Sequence, residues 1–147
     1  MKNYNLIPQE KNNYCLCSVI QAIFDKHGKK ISQDQIAPQL NSGENGFYFD
    51  DFKFKNFLNA YGFVYSLFKY DTTPFNEPDF LLSENFEKDI FIAWNKHVVL
   101  LNDFKDPYIE YINPDKGIVQ KKELSSLLFE MSQNKSGFFG VISKGII

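Results

Sequence analysis

The 147-residue chain contains no arginine: all 16 of its basic residues are lysine, against 18 acidic residues, for a net charge of −2. Proteins that read nucleic acid use guanidinium forks for guanine edges and phosphates. A near-neutral, arginine-free chain therefore argues against a nucleic-acid partner. Cysteine is also scarce, and two residues cannot build a disulfide framework. The longest apolar runs, Ile90-Phe91-Ile92-Ala93-Trp94 and Val98-Val99-Leu100-Leu101, fall far short of a membrane span. The N-terminal stretch MKNYNLIPQEKNN has no apolar core of the kind a secretory signal needs. The expectation is a cytoplasmic protein, or one exported without a Sec signal. No repeat, low-complexity stretch or Pro/Gly-rich linker divides the chain, so residues 1–147 are expected to form a single domain.

Aromatics are abundant instead: 17 % of the chain, with 16 Phe and 8 Tyr. A hydrophobic fraction of 44 % and a charged fraction of 23 % are those of a globular protein and exclude global disorder. From Cys15 to His27, the residues Leu16, Val19, Ile20, Ile23 and Phe24 recur at helical spacing, and Gly28 stops the run. A second short helix is predicted from Ser32 as N-cap towards Leu40, then a loop over Asn41–Gly46, then a helix over Asp50–Tyr61 that ends at Gly62. After Gly62 the period changes. Strands are predicted over Phe63–Tyr70, Ile90–Trp94, His97–Asn102, Tyr108–Ile112 and Phe138–Ile142. Pro74–Glu87 reads as a loop with a helical portion, and Glu123–Met131 as a short helix. Short turns favour antiparallel neighbours. The fold class is therefore α+β, with N-terminal helices packed on an antiparallel sheet.

Chemistry is confined to few residues. Cys15 and Cys17 are the candidate nucleophiles, and His27 and His97 the only histidines. A cysteine in the first turn of a helix has its thiolate favoured by the dipole and the free N–H groups. A histidine opening a strand presents its ring at the sheet's edge, and together the two would form the pair that cysteine hydrolases use. Antiparallel neighbours joined by a short loop bring Asn113, at the end of the next strand, to the same end of the sheet as His97. Asp115 is the alternative orienting acceptor. Oxyanion donors are expected from the backbone N–H of Cys15 and the side-chain amide of Gln9. Cys17 lies about 200° around the helix from Cys15 and reads as core. The same rotation opposes a zinc site built from both cysteines and both histidines. His27 reads as a surface residue complementing the helix dipole. Phe47 and Phe49 are expected to line a substrate groove, and Trp94, three residues before His97, to wall it.

Gln9, a six-residue step to Cys15 at a helix start, a later His97 opening a strand, and Asn113-Pro114 ending the next strand together resemble the papain-like cysteine peptidase fold. More narrowly, the chain resembles the bacterial double-glycine leader peptidases that process bacteriocin precursors, and their stand-alone relatives. The resemblance implies Gln9 as oxyanion donor, Cys15 as nucleophile, His97 as base and Asn113 as orienter. It implies a thiol protease acting on a peptide or protein substrate, with no cofactor. Departures are Leu16 where the family usually has a small residue, expected to narrow substrate access, and Asn113 where it usually has Asp. The usual leader-peptide context, an attached transporter or membrane domain, is expected to be missing. The expected activity is hydrolysis of a peptide or isopeptide amide through a thioester. The same site also suits acyl transfer or glutamine deamidation, and a degenerate domain would bind peptide without cleaving it.

Overall fold

A computed structural model of the chain describes residues 2–43, 46–47, 49–69, 78–134 and 137–145. Helix α1 spans Cys15–Lys26. Helix α2, Gln33–Ile36, is opened by a capping box in which Ser32 and Gln35 each bond the other's backbone N–H, and it runs into a 3-10 turn over Ala37–Leu40. The segment read as a loop forms a minimal hairpin of β1, Ser42–Gly43, and β2, Gly46–Phe47. Helix α3, Asp51–Ala60, is capped by the Asp50 carboxylate on the Lys53 N–H. Gly62 follows at φ +85°, the left-handed conformation that ends a helix without a Cβ penalty.

The remaining elements are β3 (Phe63–Lys69), α4 (Pro78–Glu84), β4 (Asp89–Trp94), β5 (His97–Lys105), β6 (Tyr108–Asn113), β7 (Ile118–Glu123), α5 (Leu124–Asn134) and β8 (Phe138–Lys144). The loop reading over Pro74 to Glu77 and the strand end at Tyr70 lie outside the described residues. Six strands form one antiparallel sheet in the order β3-β8-β4-β5-β6-β7. Strand β7, with the pattern IVQKKE, carries no apolar alternation and was not foreseen; it pairs only with β6 at the sheet's edge.

Both faces of the sheet are covered, which explains the unbroken apolar runs of β4 and β5. Phe91, Ala93, Val98 and Leu100 point to the face packed by α1, α2 and α3. Ile90, Ile92, Val99 and Leu101 point to the other, where α5 places Leu124, Leu127 and Met131. The order of helices followed by sheet is thus only part of the architecture, because α5 returns to cover the second face. Helix α1 is buried on more than the predicted face: of its twelve residues only Gln21, Asp25 and Lys26 escape full burial. The sheet lies on one side of it and α2 with the N-terminal segment on the other.

Candidate active site

Asn13, at φ +68°, turns the chain into α1, and Tyr14 precedes the helix without a side-chain cap. The first-turn amides consequently have no intrahelical acceptor. The backbone of Val98 in β5, followed by those of Leu16 and Cys15, favours the Cys15 thiolate. The thiol is only 4 % exposed. Burial, the largest influence, pushes the Cys15 thiol above its ordinary value, and the three amides, of which Val98 is the strongest, offset this only in part. The helix start does favour the thiolate, but burial outweighs it.

Val98 is the residue after His97, so the thiol rests one residue from the candidate base. No hydrogen bond joins the Cys15 sulphur to the His97 ring. By strand parity His97 belongs with Val99 and Leu101, on the face away from α1. It opens β5, where the sheet ends, and its ring sits half-buried at the rim. The turn before it, Asn95-Lys96, has φ +50° and +59°, which is the two-residue type I′ hairpin that matches strand twist.

His97 Nε2 lies 2.8 Å from Asn113 Oδ1. The same oxygen accepts the Asp115 backbone N–H at 3.1 Å, and Asn113 Nδ2 donates to Gln120 Oε1 at 3.1 Å. These contacts decide the protonation pattern. A backbone amide can only donate, so it fixes which end of the Asn113 amide is oxygen, and His97 Nε2 must then carry a hydrogen. In the neutral ring Nδ1 keeps its lone pair. Asp115 enters this network through its main chain, not its carboxylate.

The Gln9 backbone N–H donates to the Pro114 carbonyl at 2.8 Å, which ties the N-terminal segment to the turn after Asn113. Its side-chain amide donates to the Lys11 carbonyl at 3.4 Å, leaving one N–H without a partner among the described residues. Beside His97 lies an open groove of about 180 Å³ walled by Phe49, Trp94, Lys96 and Phe138, with Val98 in its lining. Trp94 faces His97 across the hairpin, ring centroids 6.4 Å apart and edge-on. Phe49 packs against Phe138 with the rings tilted and their centroids 4.9 Å apart. The backbone of Phe47 pairs with Ser42, and its side chain lies outside the described residues.

Other readings change. Leu16 is fully buried and lines a closed crevice with Leu40, Phe49 and Phe54, so it does not narrow access as expected. Cys17 is fully buried, its thiol pushed up to about 11 mainly by burial. His27 is no solvated surface residue. Its Nε2 meets Asp89 Oδ2 at 2.8 Å, and Asp89, 2 % exposed, also receives Lys26 at 2.7 Å and Tyr4 at 2.5 Å. Nothing in the sequence marked Asp89 as a buried charge. Among the described residues no three His, Cys, Asp or Glu side chains converge as a metal site requires, and no helix is long and apolar enough to cross a membrane.

Residues 3–130 match the peptidase C39 family. No curated protein sequence matches significantly. Among solved structures, a double-glycine motif protease from an AMS/PCAT transporter, in complex with the leader peptide, has a TM-score of 0.72 at 20 % identity, over 97 % of this chain and 92 % of that one. The peptidase domain of Streptococcus ComA, a bi-functional ABC transporter of a quorum-sensing pathway, has a TM-score of 0.69 at 15 % identity, over 97 % and 99 %. The N-terminal peptidase C39-like domain of the toxin secretion ATP-binding protein from Vibrio parahaemolyticus has 0.58 at 14 %, over 91 % and 98 %. These likenesses establish the shared papain-like α+β fold, and the family match extends over most of the chain: the protein belongs to the peptidase C39 family of cysteine peptidases.

Proposed function

We propose that residues 1–147 act as a single peptidase domain that hydrolyses a peptide amide through a thioester on Cys15. The observation that carries this is His97 at the rim of the sheet, its outer nitrogen held by Asn113 at 2.8 Å, directly before Val98, whose backbone favours the Cys15 thiolate. With Nε2 committed, Nδ1 is the nitrogen that takes the thiol proton as sulphur attacks the carbonyl carbon. The carbonyl π pair moves to oxygen, which the Cys15 N–H and the free Gln9 N–H receive. His97 then returns the proton to the departing amine nitrogen. Water attacks the thioester with His97 as base, releasing acid and thiol. Because the substrate-free thiol is buried and protonated, proton transfer accompanies attack rather than preceding it, and the Cys–His contact closes as the substrate docks.

His97 protonates the leaving amine, so the chain beyond the scissile bond departs over His97 and into the groove of Trp94, Phe49 and Phe138. On the amine side the site thus favours apolar or aromatic residues. On the acyl side, similarity to a double-glycine motif protease bound to a leader peptide makes a peptide ending in Gly-Gly the first substrate to try.

The test is a peptide with Gly-Gly before the scissile bond and an aromatic residue two or three positions beyond it. Wild type should release the C-terminal fragment, and acid-quenched intact mass should show the N-terminal fragment bound to Cys15 as a thioester. Cys15→Ala and His97→Ala should do neither. Equal rates in wild type and Cys15→Ala would refute the proposal. Binding without turnover would identify a degenerate domain; transfer to an added amine, or ammonia from glutamine, would identify acyl transfer or deamidation.

A further inference from the structure

The segment that carries Gln9 has no helix or strand of its own over residues 2–9, so its backbone is placed by hydrogen bonds to distant parts of the chain. Gln33, the first residue of α2, is 0 % exposed and makes four hydrogen bonds. The two hydrogens of its Nε2 are shared among three acceptors, the carbonyls of Ile7 and Pro8, both at 3.1 Å, and Gln21 Oε1 at 3.0 Å. Its Oε1 accepts the Glu10 backbone N–H at 2.9 Å.

Two of these partners have a particular meaning for Gln9. The Pro8 carbonyl belongs to the peptide plane that enters Gln9, and the Glu10 N–H to the plane that leaves it. One buried side chain therefore holds both peptide planes flanking Gln9, which fixes that residue's φ and ψ. The Gln9 N–H on Pro114 adds a third restraint from the other side of the cleft. The clamp is itself rigid. Ser18 of α1, also 0 % exposed, donates its hydroxyl to the Ile7 carbonyl at 2.5 Å, and the Ser32–Gln35 capping box holds the start of α2.

We propose that Gln33 is the positioning residue of the oxyanion hole: it touches no substrate and acts by aiming the Gln9 amide. Preorganised donors stabilise a developing oxyanion because they need not reorient during reaction. A loose Gln9 would lose that advantage while leaving Cys15, His97 and Asn113 in place. The inference rests on the thioester reading above.

The test uses the whole chain and a pair of ligands, a peptide aldehyde ending in Gly-Gly and the corresponding alcohol. The aldehyde adds Cys15 sulphur to its carbonyl carbon and places an oxygen in the hole; the alcohol fills the same subsites without one. Gln33→Met keeps the side chain's shape and removes every hydrogen bond. It should weaken the aldehyde at least tenfold, with the alcohol and the Cys15 alkylation rate changed by less than twofold. In a Gln9→Ala background the same substitution should cost less than twofold. A folded Gln33→Met with unchanged aldehyde affinity, equal weakening of both ligands, or full additivity with Gln9→Ala would each overturn the assignment. If Gln33→Met does not fold, Gln33→Asn, which keeps the polar groups but is one methylene too short for both planes, is read in the same way. Wild type that binds the aldehyde no better than Cys15→Ala would instead refute the thioester reading itself.

Discussion

The Asn113 amide is the most informative single group to change. Its oxygen accepts from His97 Nε2 at 2.8 Å and from the Asp115 N–H, and the site's tautomer depends on both. In the proposed mechanism the ring gains a proton from Cys15, and the His97–Asn113 bond then becomes charge-assisted. A hydrogen bond to a charged group contributes about 1.5–3 kcal/mol, which corresponds to about 10- to 150-fold in rate. Asn113→Ala should therefore lower kcat by that factor on a Gly-Gly peptide and leave KM within about threefold, because the bond strengthens only in the transition state. Asn113→Asp keeps the acceptor and adds a charge. It should retain kcat within a few-fold and move the acid limb of kcat/KM to higher pH, since a carboxylate beside the ring favours imidazolium. Stopped assays across pH 5–9 measure both. A fall below threefold in Asn113→Ala, or an unmoved acid limb in Asn113→Asp, would show that Asn113 does not orient the ring.

Burial holds the Cys15 thiol above its ordinary range, so alkylation by iodoacetamide should be slow at pH 6 and keep rising through pH 9; fast, flat labelling from pH 6 upwards would show a resting ion pair instead. At the opposite end of β4, burial pushes the Asp89 carboxyl up, but hydrogen bonds from Lys26, Tyr4 and His27 outweigh it and hold the group below its ordinary value. Breaking a buried pair costs about 3–5 kcal/mol, so Asp89→Asn should melt roughly 10 °C lower at pH 7. A depressed folded value means the stabilisation is present above the unfolded carboxyl pKa of about 3.9 and is lost as pH falls through the folded value. The gap between wild type and variant should therefore close well below pH 4, and a gap unchanged at pH 3 would contradict the assignment. Gly140 of β8 lies opposite Phe91, and a Cβ there would overlap the buried ring. Gly140→Ala should destabilise by about 1–3 kcal/mol or more, and Phe91→Leu should recover part of that loss; an additive pair would locate the strain elsewhere.

Much of this arrangement was legible because the signals were local. Helical period and Gly28 delimited α1, Ser32 announced α2, and Asp50 with Gly62 bracketed α3. Strand order alone placed His97 and Asn113 at one rim. What escaped detection depends on partners distant in sequence. Strand β7 has no apolar alternation, because as an outermost strand it is stabilised by backbone pairing with β6 rather than by burial. Asp89 looked like a surface residue before a strand, and only the fold brings Lys26, His27 and Tyr4 onto it. Gln33 looked like an ordinary first-turn residue, since its four partners belong to segments that local pattern cannot align. Leu16 was misread for the opposite reason. Judged against the family pattern it intruded on the cleft, yet the helix turns it into the core.

Two features at the centre of the site, the neutral Asn113 and the buried Cys15, act in the same direction. An aspartate in place of Asn113 would favour imidazolium and draw the proton from the thiol before substrate arrives. A solvated helix start would do the same by stabilising thiolate. This chain has a neutral amide behind the histidine and a buried Cys15 whose thiol burial pushes up, so in the proposed mechanism neither feature favours an ion pair before substrate binds. Charge then appears only as the carbonyl is attacked, and it appears on the oxygen as well as on the ring. A dyad without a resting ion pair shifts the burden of transition-state stabilisation to the oxyanion donors. The Gln9 donor, in turn, is only as well placed as the segment that carries it, which has no helix or strand of its own. Losses at Gln9 and Gln33 should consequently be as large as the loss at Asn113, whereas in a site with a charged orienter the ring's partner would dominate.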